Sequence, residues 1–206
     1  MTKVLRSLRA SSPIALIVAA IVPLGAFSGC SSKADEPAQG VAGDSTPHVK
    51  PLKYSVPPTW TKTESSDDGE RRAAFSVPKA GDDKEDGEVL VLFFGTGAGG
   101  DRDKQWDIWF GQLDGDPKSI ATHGQFDANG MQVETFETAG KYKLNIGPQR
   151  PGMKRSPVQM VKDNFRMIGA VVHTKDRGNW FFRLVGPDST VKAAKSDFMG
   201  LLQSVE

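Results

Sequence analysis

FRMIGAVVHTKDRGNWFFRLVGPDSTVKAAKSDFMGLLQSVE, residues 165–206, holds two strands and a helix in one run. Phe165–Thr174 and Asn179–Val185 are rich in β-branched and aromatic residues, and Lys175-Asp176-Arg177-Gly178 between them reads as a tight turn. Strands joined so closely pair antiparallel. Gly186-Pro187 ends the second strand, and Asp188-Ser189 predicts the cap of a closing helix. Its apolar positions, Val191, Ala194, Phe198, Leu201, Leu202 and Val205, recur at helical spacing, with Lys192, Lys195 and Asp197 outside. A hairpin followed by a helix with one apolar stripe predicts an antiparallel sheet with a helix laid on its face.

Upstream segments enlarge this sheet. Arg71–Val77 alternates, with Ala73, Phe75 and Val77 on one face. Glu88–Phe94 (EVLVLFF) is apolar on both faces and belongs mid-sheet. Trp60, after Pro57-Pro58, begins a short extended piece. Met131–Thr138 and Lys141–Ile146 predict two more strands, with Ala139-Gly140 as the hairpin turn between them. Phe136 is out of phase with Val133, which predicts a bulge in the first of the two. Asp101 or Asp103 can cap a helix carrying Trp106, Trp109, Phe110 and Leu113. Gly115–Gly130 has only scattered apolar residues and predicts no strand. The expected fold is α+β: an antiparallel sheet of about six or seven strands flanked by helices, in one domain over residues 51–206. Such a domain, about 155 residues, buries roughly 70% of its unfolded surface.

The N-terminal stretch is of another kind. Lys3, Arg6 and Arg9 precede an apolar run from Ile14 to Phe27, which is shorter than the ~20 residues that cross a bilayer and is interrupted by Pro23. Phe27-Ser28-Gly29-Cys30 follows, and Cys30 is the only cysteine. This pattern resembles a bacterial lipoprotein signal ending in its lipobox, with Phe27 where leucine is usual. The resemblance implies removal of residues 1–29 and lipidation of Cys30 with a diacylglyceryl group and an amide-linked chain. Ser31 implies sorting to the outer membrane, facing the periplasm. Loss of the leader turns a formal charge of +1 into about −2, a balance that gives no signal for nucleic acid. Residues 30–50 are small, polar and rich in Pro and Gly, and predict a flexible tether. With its one cysteine modified, the fold has no disulfide and depends on its core.

Several motifs invite chemistry and fall short of it. Gly95-Thr96-Gly97-Ala98-Gly99-Gly100 satisfies G-x-G-x-x-G between a strand and a helix. No apolar strand follows the helix to complete a dinucleotide unit, Asp101 and Asp103 would repel a phosphate, and no Lys follows the last Gly. A strand-to-helix connector is the expectation. Asp101, Asp103 and Asp107, and Asp114-Gly115-Asp116, lack the alternating oxygen ligands and distal Glu of a calcium loop. His48, His123 and His173 show no zinc spacing, and no Ser lies in a G-x-S-x-G elbow. Gly147–Lys162 reads as a Pro-rich loop carrying Arg150, Lys154, Arg155 and Lys162. A solvated loop is the simpler reading, and contact with an anionic ligand, lipid headgroups or lipopolysaccharide the alternative.

Three stretches carry a wider resemblance: Trp60 with Arg71-Arg72-Ala73-Ala74-Phe75, FFGTGAGGDRDKQWDIWFGQLDG over residues 93–115, and Gly169–Glu206. They resemble a family of uncharacterised bacterial lipoproteins, and the order of elements looks like the PsbP/Mog1-like α/β/α sandwich. That resemblance implies no catalytic residue. The expectation is a non-enzymatic, membrane-anchored binding or assembly module of the cell envelope. It has no catalytic, cofactor or metal residues, is lipidated at Cys30, and has an envelope protein or the cell wall as partner. The alternative is a small periplasmic hydrolase around the Gly95–Arg102 loop, which requires Asp101, His123 or His173 and a hydroxyl to converge.

Overall fold

The computed structural model describes residues 50–65, 69–96, 100–146 and 158–206. The leader, Cys30, the tether to residue 49, Gly97-Ala98-Gly99, and Arg150, Lys154 and Arg155 lie outside the described residues. In chain order the elements are β1 (Thr61–Ser65), β2 (Arg71–Val77), β3 (Gly87–Phe93), α1 (Arg102–Phe110), β4 (Thr122–Ala128), β5 (Met131–Ile146), β6 (Val158–His173), β7 (Asn179–Pro187) and α2 (Asp188–Gln203). The strands form one seven-stranded sheet in the order β1-β2-β3-β7-β6-β5-β4, antiparallel throughout.

Strand alternation sorts the core into two layers. Val89 and Val91 of β3, Phe182 and Leu184 of β7, and Ile168, Ala170 and Val172 of β6 face α2, meeting Val191, Phe198, Leu201 and Leu202. The alternate residues Phe181 and Val185, Met167 and Val171, and Phe136 of β5 face Trp106, Trp109 and Phe110 of α1. β3 and β7 are apolar on both faces because both layers cover them. Leu52 and Tyr54 close the α2 side, where Lys53 and Glu206 exchange backbone hydrogen bonds of 3.1 and 2.9 Å.

Several local expectations are corrected. Ala139-Gly140 is not a turn: β5 runs straight through it, because both of its halves pair with the same strand, β6. The Met131–Thr138 register carries no bulge. Val133 and Phe136 are both buried because they face different layers. The irregularity lies further on, between Gly140 and Tyr142, where β6 inserts an extra residue and Asn164 turns left-handed at φ 58°. β4 is a strand the sequence did not predict. Val158–Lys162, expected as loop, belongs to β6. The closing helix has no side-chain cap: Pro187 precedes it, and Asp188 in its first turn instead binds Arg166 and Lys192. α1 ends at Phe110, and Leu113, beyond the helix, bridges to Tyr142.

Candidate functional site

Asp101 fixes where α1 begins. Its carboxylate accepts from the backbone N–H groups of Asp103 at 2.9 Å and Lys104 at 3.2 Å. The Lys104 N–H is the main reason the Asp101 carboxyl lies below its usual range. Asn179 on β7 donates to the Gly100 carbonyl at 2.9 Å. Gly100 has φ +87°, and a Cβ there would lie 2.7 Å from the Phe181 ring. Gly178, in the β6–β7 turn, would clash with the Gly95 carbonyl at 2.5 Å. These glycines let the two described ends of the connector, Gly95 and Gly100, approach β7 and the β6–β7 turn closely. The next strand after α1 is β4, at the far edge of the sheet and separated from β3 by β7, β6 and β5, so the topology is not that of a dinucleotide unit.

From this start, α1 lays Trp106 and Phe110 against Phe136 of β5 and leaves a groove of about 420 Å³ between itself and edge strand β4. Arg102, Trp106 and Phe110 line it from the helix, His123 and Gln125 from β4, and Glu134 from β5. Gln125 and Glu134 are cross-strand partners, as are His123 and Phe136, so these four residues share the α1 face. Trp106 sits edge-on to Phe136 at 5.1 Å, and His123 stacks on it at 5.7 Å. The Arg102 guanidinium lies 5.1 Å from the Trp106 ring.

The ionisable groups of the groove are already engaged. Glu134 takes an ion pair from Arg102 with one oxygen, and with the other faces His173 Nε2 at 2.9 Å. His173 Nδ1 faces Asn179 Oδ1 at 3.0 Å. Asp107 pairs with Lys118 at 2.9 Å, and Asp103 with Arg102 at 2.9 Å. The residues named by sequence therefore separate: Asp101 caps a helix, His123 stacks on Trp106, and His173 binds Glu134 and Asn179. No hydroxyl among the described residues hydrogen-bonds to either histidine, and no cluster of His, Cys, Asp or Glu there could hold a metal ion. Asp116 accepts from the Ser119 N–H at 3.3 Å, and Asp114 lies 3.8 Å from Lys143. Gln125 and Glu134 were not singled out by sequence, since β4 was not seen as a strand. The available signal was Asn129-Gly130, a strong hairpin dipeptide directly before Met131.

No protein-family model and no curated protein matches the sequence. Among solved structures, the chain is similar to PA94, a Pseudomonas aeruginosa protein of unknown function. Identity is 11% and the TM-score 0.39, over 74% of this chain and 94% of that one. It is also similar to cyanobacterial PsbP (CyanoP) from Synechocystis, at 12% identity and a TM-score of 0.38, over 82% and 98% of the two chains.

Proposed function

We propose that this chain is a lipid-anchored lipoprotein of the bacterial cell envelope that acts by binding rather than by catalysis, with the groove between α1 and β4 as its binding surface. One observation carries the binding reading: the acids and cations around the groove are paired with one another, and His123 is stacked on Trp106 with no hydroxyl among the described residues hydrogen-bonded to it. What remains is an open cleft with an aromatic wall and a polar rim, the usual composition of a recognition site. Nucleophilic catalysis by a side chain needs instead a base within hydrogen-bond reach of that nucleophile. The anchor reading rests on the leader and Cys30 in the sequence. One helix on each face of the sheet, in this element order, supports the PsbP/Mog1-like α/β/α reading of the architecture, while kinship with uncharacterised lipoproteins rests on the sequence stretches alone.

A photoreactive residue placed at Gln125 tests the groove in living cells. A discrete adduct is expected there and not from the same residue at Lys53, on the far side of the molecule from α1. Equal adducts at both positions, or turnover of an envelope substrate by the purified protein, sinks the binding reading. Separately, Cys30→Ala is expected to leave the membrane fraction; a variant that sediments as fully as its parent sinks the anchor.

A further inference from the structure

We propose that the outer ends of β5 and β6 form a second membrane contact: an amphiphilic ribbon that docks onto the headgroup layer of an anionic bilayer. The proposal rests on the lipid-anchored reading only for what brings a bilayer near.

The pairing registers define the ribbon. β4 covers β5 only from Met131 to Glu137, and β7 covers β6 only from Phe165 to His173. Beyond these limits β5 and β6 pair with each other as far as Ile146 and Val158. The segment after α1 supports the base of the ribbon, where Asp114 and Lys143 donate to the carbonyls of Lys141 and Gln112 at 2.8 and 2.7 Å. Past Lys143 no third strand flanks it among the described residues. The bulge at Asn164 marks where the ribbon leaves the sheet.

Its chemistry suits a headgroup layer. Met160 is 47% exposed and Val161 51%. Consecutive strand residues face opposite ways, so neither face of the ribbon is covered there. In the described parts of the ribbon, residues 141–146 and 158–162, the charged residues are Lys141, Lys143 and Lys162, with no Asp or Glu. The acids that meet the ribbon's lysines, Asp163, Asp114 and Glu85, come from outside those segments; all three carboxylates are exposed, with Lys141 exposed and Lys143 and Lys162 half-buried, so a bilayer phosphate can compete for the lysines from the solvent side. Exposed apolar side chains among cations of one sign are the composition of an interfacial contact.

The distances permit attachment at both ends. Lys53, near the start of the described residues, pairs with Glu206, which Arg177 of the β6–β7 turn also holds, while Asn129 of the β4–β5 turn holds Val205. Those turns lie at one end of the sheet and the ribbon at the other, about 50 Å away along a strand of this length. The chain from Cys30 to Leu52 can extend to roughly 70 Å, so a lipid on Cys30 and the ribbon can reach the same bilayer. The acyl chains on Cys30 already anchor the chain, and a basic second contact adds orientation of the domain on the bilayer.

The test uses the full chain with Val161→Cys, labelled with a fluorophore that brightens on leaving water, and Ile108→Cys on α1 as control. Labels per chain are counted before vesicles are added: a second label means that Cys30 is free, which identifies failure of the anchor independently of the ribbon. With vesicles containing phosphatidylglycerol, the Val161 signal is expected to rise while the Ile108 signal stays level. Phosphatidylcholine vesicles, or salt of about 0.5 M, should abolish the rise. Lys141→Gln with Lys143→Gln should weaken partitioning about 25-fold, roughly five-fold for each cation. Equal signals at both positions, or indifference to lipid charge, overturns the proposal. So does an equal response to soluble polyglutamate, which would assign the ribbon to an anionic polymer.

Discussion

Gly169→Ala tests how α1 is seated on the sheet. Gly169 of β6 lies directly across from Phe136 of β5, and the Phe136 ring lies over it. A Cβ at Gly169 would sit 2.6 Å from Phe136 Cζ and 2.9 Å from Trp109 Cε3, with Phe136 Cε1 nearer still. Ordinary contact begins near 3.4 Å, so the nearest ring atom must retreat by more than an ångström. It has nowhere to go: Phe136 and Trp109 are each 1% exposed, and Phe136 is wedged against Phe110 at 4.5 Å and Trp106 at 5.1 Å. Overpacking of a dense core costs about 1–3 kcal/mol, and a clash with two rings belongs at the upper end. For a domain of this size, about 3 kcal/mol lowers Tm by roughly 6–12 °C.

Thermal and urea unfolding of the parent, Gly169→Ala, Phe136→Leu and the double variant measure this. Leucine removes the ring edge, so Gly169→Ala should cost at least about 1 kcal/mol less in that background. A Gly169→Ala protein as stable as its parent would refute the reasoning. So would a penalty that is the same with and without the Phe136 ring, because the cost would then not come from this contact.

Gly200→Ala should have the opposite sign. Gly200 lies inside α2 with nothing within 4 Å of an added Cβ, so alanine should stabilise by about 0.5–1 kcal/mol in urea melts. Gly130→Ala tests backbone strain alone, because φ is +78° and no atom lies within 4 Å; a loss of about 1–2 kcal/mol is expected, with amide exchange rising first in β4. Acid stability should depend on Arg166. Burial opposes ionisation of Glu137 and Asp188, but Lys195 and Arg166 outweigh it for Glu137, and Lys192 and Arg166 for Asp188, so both carboxyls lie below their usual range. Depressed carboxyls contribute stability that is complete above the unfolded values, about 4–4.5, and is lost as pH falls through the lower folded ones. Arg166→Gln should therefore cost about 2 kcal/mol at pH 7 and flatten the loss of stability below about pH 4.5, read from urea midpoints across pH.

What the sequence disclosed follows from how each element is buried. β2, β3, β7 and both helices bury one face or two, and their apolar spacing is readable without any partner. β4 is an edge strand exposed along most of its length, with Phe126 half-buried and Ala128 buried at its end. A strand that touches little core leaves no alternation to read, and only its turn betrays it: Asn129 at φ 51° and Gly130 at φ 78° form the doubly left-handed corner that such a hairpin requires. β5 is legible as strand on both sides of Ala139-Gly140, but its phase misleads for the opposite reason. Buried on both faces, it places Val133 and Phe136 in different layers, and a single-face reading mistakes this for a break in phase. Ala139-Gly140 looks like a turn by composition, yet Arg166 and Phe165 pair with it and carry the ladder through. The groove inherits both difficulties. Trp106 reads as core by helical phase, and at 7% exposure it is core, but it is also the wall facing a strand the sequence does not reveal. Glu134 and Gln125 become neighbours only once β4 and β5 are paired. A groove assembled across an edge strand is therefore the part of this fold least visible in the chain, because its residues meet through backbone pairing rather than through any pattern of their own.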